Sequence, residues 1–447
     1  MRAARPSEQA LLGVGTLAFQ VFLLAQFLSL TRLFWSTRAG DAVSALASLA
    51  GLLSVALLAP AVLAYGLGVS SLFGTLVPAA RAWVAAVLGL SSFLFFYGWL
   101  LKDNVVTAAL HDLAPYLVLV ASAILGSVPR AWEDSDGFLV LLFVVALAIN
   151  AAGMTEMTRV VTESYAEDRA GVGIVAYRTQ GALAFWPLFL LTARLRQPRI
   201  ALLAFAGVFF VLAQQILFQK RAPTFRIALF VFVFLFMLPR LRPRSEGRVR
   251  AWFLGTAAVA LCLAVALAPW LFHGQIAGLA ERISGQRYTG GAAGMLTWEN
   301  ERFFEASMFL GTLEPQEWIF GRGFGGYFVP PAPGWGVWLD DVQEFGRRQL
   351  HVGGLMPFFK GGLALSLAYY CGLALALFRG ARSRAEPFAA AAFYVVLLHA
   401  LFLLQEGFFI MSLSFDLVMV GLCMGHLLSS RRAPAMRQGA PPPAGRP

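Results

Sequence analysis

Charge is what this chain has least of. Only 13% of its 447 residues are Asp, Glu, Lys or Arg, against 59% hydrophobic, whereas a soluble domain carries about a quarter charged residues. Too few solvated groups remain to cover a globular surface, which argues against an ordinary soluble fold. Cysteine is scarce as well. Cys262, Cys371 and Cys423 are widely separated and form no CxxC pair, which argues against a disulfide framework or a thiolate metal site. They read as small core residues within apolar stretches. The glycine-rich segments lack the Gly-Lys-Ser/Thr ending of a phosphate loop. No Asp/Glu/His cluster has metal-ligand spacing, so neither a divalent metal nor another cofactor is expected.

What the chain has in abundance is apolar runs of about 20 residues, repeated from end to end, with a mean hydropathy of +0.70. Runs of that length read as membrane-crossing helices. The expected fold is an all-α polytopic membrane protein with about 12 spans. They lie near 10–35, 42–68, 82–101, 112–128, 137–153, 173–192, 199–219, 225–239, 251–272, 355–378, 387–404 and 412–430. The basic start "MRAARPSEQALLGVG" leads into a long apolar run without a small-residue cleavage pattern, so it reads as a first span and not a removed signal. Residues 1–432 form one membrane domain, and 433–447, "APAMRQGAPPPAGRP", read as a disordered tail.

A net charge of +11 raises the question of nucleic acid. The excess sits in short Arg-rich connections, which set membrane orientation more often than they bind a polynucleotide, so no nucleic-acid partner is expected. The segments "RLRQPR" (194–199), "RLRPRSEGRVR" (240–250), "RGARSRAE" (379–386) and the tail from Arg431 all fall on one face with the N-terminus. The positive-inside rule makes that face cytoplasmic. The acidic "PRAWEDSDG" (129–137) fits poorly, although acids weigh little in the rule. The same parity puts "QKRAPTFR" (219–226), with Lys220, Arg221 and Arg226, on the opposite, extracytoplasmic face. Two readings remain: these cations hold an anionic ligand at the outer surface, or they snorkel to headgroups.

The connection 273–354 is also extracytoplasmic, far longer than ordinary loops, and rich in Trp and Phe, so it is expected to be folded. Its middle, "TWENERFFEASMFLGTLEPQEW" (297–318), suits a short helix with Glu299, Arg302 and Glu305 on one face. On spacing alone, a solvated, salt-bridged helix is the favoured reading. "FGRGFGGYF" (320–328) permits tight turns and close backbone approach; a structural turn is its default reading. His351 stands just before the tenth span. Its unperturbed pKa near 6.5 suits it to accept a proton at neutral pH. Lys360 and Arg178 are intramembrane cations, and hence site candidates.

In this order, the pieces resemble the O-antigen ligase and Wzy-type O-antigen polymerase superfamily of bacterial envelope enzymes. That family's late loop carries an Arg on a helix, a G-x-G turn, a His before the next span and a Gly soon after. Here the series is Arg302, "GRGFGG", His351 and "KGG" (360–362). The family's earlier Arg is matched by Arg221, and an Arg-then-Gly element in a middle span by "YRTQG" (177–181). The resemblance covers about residues 170–415. Where many ligases have His-Asn, this chain has His351-Val352, and Arg221 follows Lys220 and not Ser; both departures tilt the reading toward a polymerase.

The resemblance implies a GT-C-like membrane glycosyltransferase acting at the periplasmic face of the bacterial inner membrane, with both termini cytoplasmic. Its substrate would be an oligosaccharide on undecaprenyl pyrophosphate, its surroundings membrane lipids, and a chain-length regulator a further partner. Arg221 and Arg302, with Arg178 and Arg226, would bind the pyrophosphate, and His351 would serve as general base. The acidic stretch 154–169, with Glu156, Glu163, Glu167 and Asp168, is where the expectation of no metal is most exposed. Rival readings are a ligase using the same donor and a transporter of lipid-linked sugars. The two halves of the chain show no evident repeat, unlike many transporters.

Overall fold

A computed structural model describes Leu17 and residues 75–128, 306–328, 350, 352–382, 387–403 and 415–430. Among these residues the structure is mostly helical. An isolated antiparallel bridge joins Leu76 and Ser429. Helix α1 (Pro78–Phe96) starts with proline in its first turn, where the missing N–H is no loss, and continues as a π-helical turn, Tyr97–Leu101. Helix α2 spans Val106–Gly126, and a single short turn, α3, spans Glu317–Phe320. A 3-10 turn at Gly353–Leu355 leads into α4 (Met356–Arg382). Helices α5 (Pro387–Leu403) and α6 (Phe415–Leu427) follow.

Three of these helical stretches are long and apolar enough to cross a membrane: Pro78–Leu101, Val106–Gly126 and Gly353–Arg382. They correspond to the expected spans at 82–101, 112–128 and 355–378. Helices α5 and α6 fall within the spans expected at 387–404 and 412–430 but are shorter. The seven remaining spans, Leu17 apart, lie outside the described residues. Helix α2 begins well before the expected boundary at residue 112. A His-Asp pair reads as polar edge in sequence, yet Asp112 is buried inside the bundle because a cation from α4 meets it there.

Packing rests on small residues. Helix α6 carries Gly421 and Gly425, a GxxxG spacing that lets helix backbones approach closely when no hydrophobic force drives apolar helices together in lipid. A Cβ on Gly425 would stand 1.8 Å from the Ala123 carbonyl oxygen of α2, and one on Gly126 would stand 2.1 Å from that of Leu422. Between α1 and α4, the Trp83 indole fills the notch left by Gly372. A buried Tyr369 hydroxyl lies 2.6 Å from His399 Nε2 and links α4 to α5. The cysteines depart from expectation. Cys423 is buried, but Cys371 is exposed on α4. Cys262 lies outside them.

The helix ends sort onto two faces. At one, Val77 donates to the Leu428 carbonyl, Thr75 and Ser127 share a 2.6 Å hydroxyl bond, and Arg379 donates to the carbonyls of Leu427 and Ser429. At the other lie Lys102, α3 and the start of α4. The helix expected over 297–318 is not continuous there. Residues 306–311 are helical, Thr312 ends the run, and α3 begins anew. Pro315 explains the break, since it disfavours helical geometry at Glu314.

Candidate functional site

The site forms where the glycine turn after α3 enters the bundle between α1, α2 and α4. Helix α4 is broken immediately past Lys360. Gly361 and Gly362 leave helical geometry, with Gly362 at φ +58°. The turn answers with Gly321 at φ +64° and ψ −161°, a region of backbone space open essentially only to glycine. The two backbones touch. A Cβ on Gly321 would stand 2.6 Å from Gly361 N, and one on Gly362 would stand 2.3 Å from the Ile319 carbonyl carbon. Arg322 N–H donates to the Phe359 carbonyl at 2.9 Å, one of the acceptors in the turn just ahead of the break.

Lys360 is fully buried. Its Nζ lies 2.7 Å from Asp112 Oδ2 and donates to the Gly326 carbonyl at 2.7 Å. The same Asp112 oxygen accepts the Gly325 N–H at 2.8 Å. One carboxylate and one ammonium thus clamp the last two glycines of the turn. Asn104 donates to the carbonyls of Arg322 and Phe324, Phe324 N–H donates to the Leu94 carbonyl, and the Phe324 ring stacks on Tyr116 at 5.5 Å. Buried backbone polar groups need partners, and here each bonded group finds one in a different element.

A second charge cluster closes the mouth. Lys102, just past α1, pairs with Glu314 at 3.2 Å and with Glu317 at 3.1 Å. Glu317 also lies 3.5 Å from the Arg322 Nε, and Arg322 donates to the Thr312 carbonyl and hydroxyl. Burial alone would lower the Lys102 pKa, but the bonds from Glu317 and Glu314 outweigh it and raise it. Hydrogen bonds from Lys102 and Gln316 hold the Glu314 carboxyl below its ordinary value. Three cations, Lys102, Arg322 and Lys360, thus face three carboxylates, Glu314, Glu317 and Asp112.

This changes the reading of Lys360. As an intramembrane cation it was a ligand-site candidate; its position shows an internal tie between turn and bundle. The glycine turn keeps its default structural role and gains a defined seat. His351, Arg221, Arg302, Arg178 and Arg226 lie outside the described residues, as does the acidic stretch 154–169. His351's chain neighbours are described: Leu350 is buried with its N–H 3.1 Å from the Met356 sulfur, and Val352 precedes the 3-10 turn. Both belong to the same end of the bundle as the glycine turn.

Sequence reasoning missed Asp112, Glu317, Lys102 and Asn104. For Asp112 the signal was present: an acid within an apolar helix demands a partner. Among the described residues no group of three or more His, Cys, Asp or Glu could hold a metal. Compared with protein-family models, characterised proteins and solved structures, the chain matches none.

Proposed function

We propose that the chain is a membrane glycosyltransferase that polymerises lipid-linked glycan repeat units at the periplasmic face of a bacterial inner membrane. The observation that supports this reading most is the contact between two members of the motif series. The "GRGFGG" turn and the "KGG" of α4 are separated in sequence by the loop that carries His351, yet Lys360 donates to the Gly326 carbonyl, and Arg322 N–H bonds to the carbonyl of Phe359 just before "KGG". Parts that act together in one reaction are expected to meet in this way. The internal neutralisation of Lys360 and Arg322 leaves donor binding to other cations, in keeping with the assignment of Arg221 and Arg302, with Arg178 and Arg226, to the pyrophosphate.

The chemistry is a displacement at the anomeric carbon of the donor glycan. The acceptor hydroxyl forms the new C–O bond, the bond to the undecaprenyl pyrophosphate oxygen breaks, and the acceptor proton passes to His351. Arginines fixed around the leaving group stabilise the charge that grows on it in the transition state. No metal is needed for a leaving group of this quality. The polyprenyl tail would lie against the apolar spans.

The test gives the purified protein its lipid-pyrophosphate-linked repeat unit and resolves the products on a gel. A ladder of growing glycans is expected, and His351→Ala should slow it by about 100-fold or more, the usual size of general-base catalysis. Absence of a ladder rejects the polymerase. Transfer to added lipid A–core would then establish a ligase using the same donor, and no transfer at all would favour a transporter.

A further inference from the structure

The segment that carries the glycine turn does not rest on top of the helices. Three contacts with three different helices fix its depth. Phe324 bonds to the carbonyl of Leu94, Arg322 bonds to that of Phe359, and Gly325 bonds to Asp112. Counted from Leu101, Gly353 and Val106, each contact point is six or seven residues inside its helical stretch. At 1.5 Å per residue this places the turn roughly 10 Å below the ends of all three. Half the hydrocarbon thickness of a bilayer is about 15 Å.

Non-helical backbone at such depth persists only when the protein satisfies its polar groups. Here it does so. Gly321 N–H donates to the Glu317 carbonyl and Gly326 N–H to that of Gly323, and Asn104, Asp112 and Lys360 meet the remaining bonded groups. The cations of the segment and its seat are each matched by carboxylates. Its outer flank is nonetheless apolar and open: Trp318 is 44% exposed and Ile319 50%. That flank runs into the outward faces of two candidate spans. The Phe320 ring lies 5.1 Å from that of Phe93 on α1. Ile319 abuts Gly362, which precedes the exposed Leu363 on α4.

We propose that residues 317–326 form a re-entrant segment whose Trp318–Ile319 flank lies in the hydrocarbon of the bilayer, in contact with lipid acyl chains. Continuity with the faces of α1 and α4, together with the pairing of every cation in the cluster, selects lipid as the occupant. The inference does not depend on the enzymatic reading and survives its failure.

The test uses the full chain with Cys262, Cys371 and Cys423 replaced by serine, carrying Trp318→Cys or Ile319→Cys. Gln316→Cys serves as an aqueous reference and Leu367→Cys as a lipid-face reference. Each variant is nitroxide-labelled and reconstituted in phosphatidylcholine vesicles, and its collision rates with oxygen and with a nickel chelate are measured. Expected is an oxygen-to-nickel ratio at 318 and 319 near that at 367 and about tenfold above that at 316, because a polar reagent is excluded from hydrocarbon. A ratio equal to that at 316 overturns the proposal. So does suppression of both collisions together, which would mean that protein covers the flank. Two adjacent exposed positions are probed so that the loss of one variant leaves the other to decide.

Discussion

At the scale of single residues, the Lys360–Asp112 pair is the feature with the largest consequence. Removing one partner leaves the other charged and buried. Asp112→Ala or Lys360→Met is therefore expected to cost about 3–5 kcal/mol. Replacing both by apolar residues of similar size should cost less than the two single losses added together, because no unpaired charge is left behind, although the Gly325 N–H and the Gly326 carbonyl then lose their partners. Thermal unfolding of the four variants in detergent, treated as a double-mutant cycle, checks this. Two equal, additive losses would show that the pair is not coupled. The contrast with Lys102 is instructive. That lysine stands at the mouth, keeps access to water, and shares its charge with Glu314, which is exposed, and with Glu317, which is buried. Its substitution should cost far less, as screened ion pairs do.

At the scale of elements, glycine placement separates packing from indifference. Gly425 of α6 and Gly89 of α1 are both helical. Gly425 faces the Ala123 carbonyl at a distance no side chain can share, whereas a Cβ on Gly89 meets nothing within 4 Å. Gly425→Ala should push α6 off α2 and lower stability by about 1–3 kcal/mol, the usual cost of overpacking. Gly89→Ala should raise stability by about 0.5–1 kcal/mol, because alanine gives up less backbone freedom in a helix. Melting temperatures of the two variants in one detergent read both signs. The GxxxG spacing was visible in sequence, but its partner helix was not. The break in α4 at Gly361–Gly362 was equally legible as a pair of glycines and equally silent about the turn that fills it.

At the scale of the molecule, the two faces carry different charge. Arg379 and Arg382 end α4 at the face where residues 75–77, 127–128 and 428–430 meet, and Arg81 donates to the Leu76 carbonyl at the same face. The opposite face carries Lys102 and Arg322 beside Glu314 and Glu317. By the positive-inside rule the arginine face is expected to be cytoplasmic. In intact cells, a membrane-impermeant maleimide should label Gln316→Cys and leave Ser430→Cys unlabelled until the membrane is opened. The reverse pattern would invert the assignment, and with it the periplasmic placement of the proposed chemistry. If the orientation holds, the proposed re-entrant turn lies on the side where the proposed lipid-borne donor would be presented.

Helical class, the approximate position of the described spans and the charge of their connections were all determined by the sequence. Apolar length and loop charge are local properties, read a window at a time. Pro315, visible beforehand, breaks the expected 297–318 helix, because a proline acts on the residue just before it. What only the tertiary structure decided is which distant groups meet. Asp112 and Lys360 lie on different helices, and neither residue names the other. An acid read as the edge of a span moved inside it once its counter-charge was in place. The glycine turn likewise became a seat within the bundle only when the gap at Gly361–Gly362 was opposite it. Burial of charge and backbone requires a partner, and the chain's path through space supplies that partner.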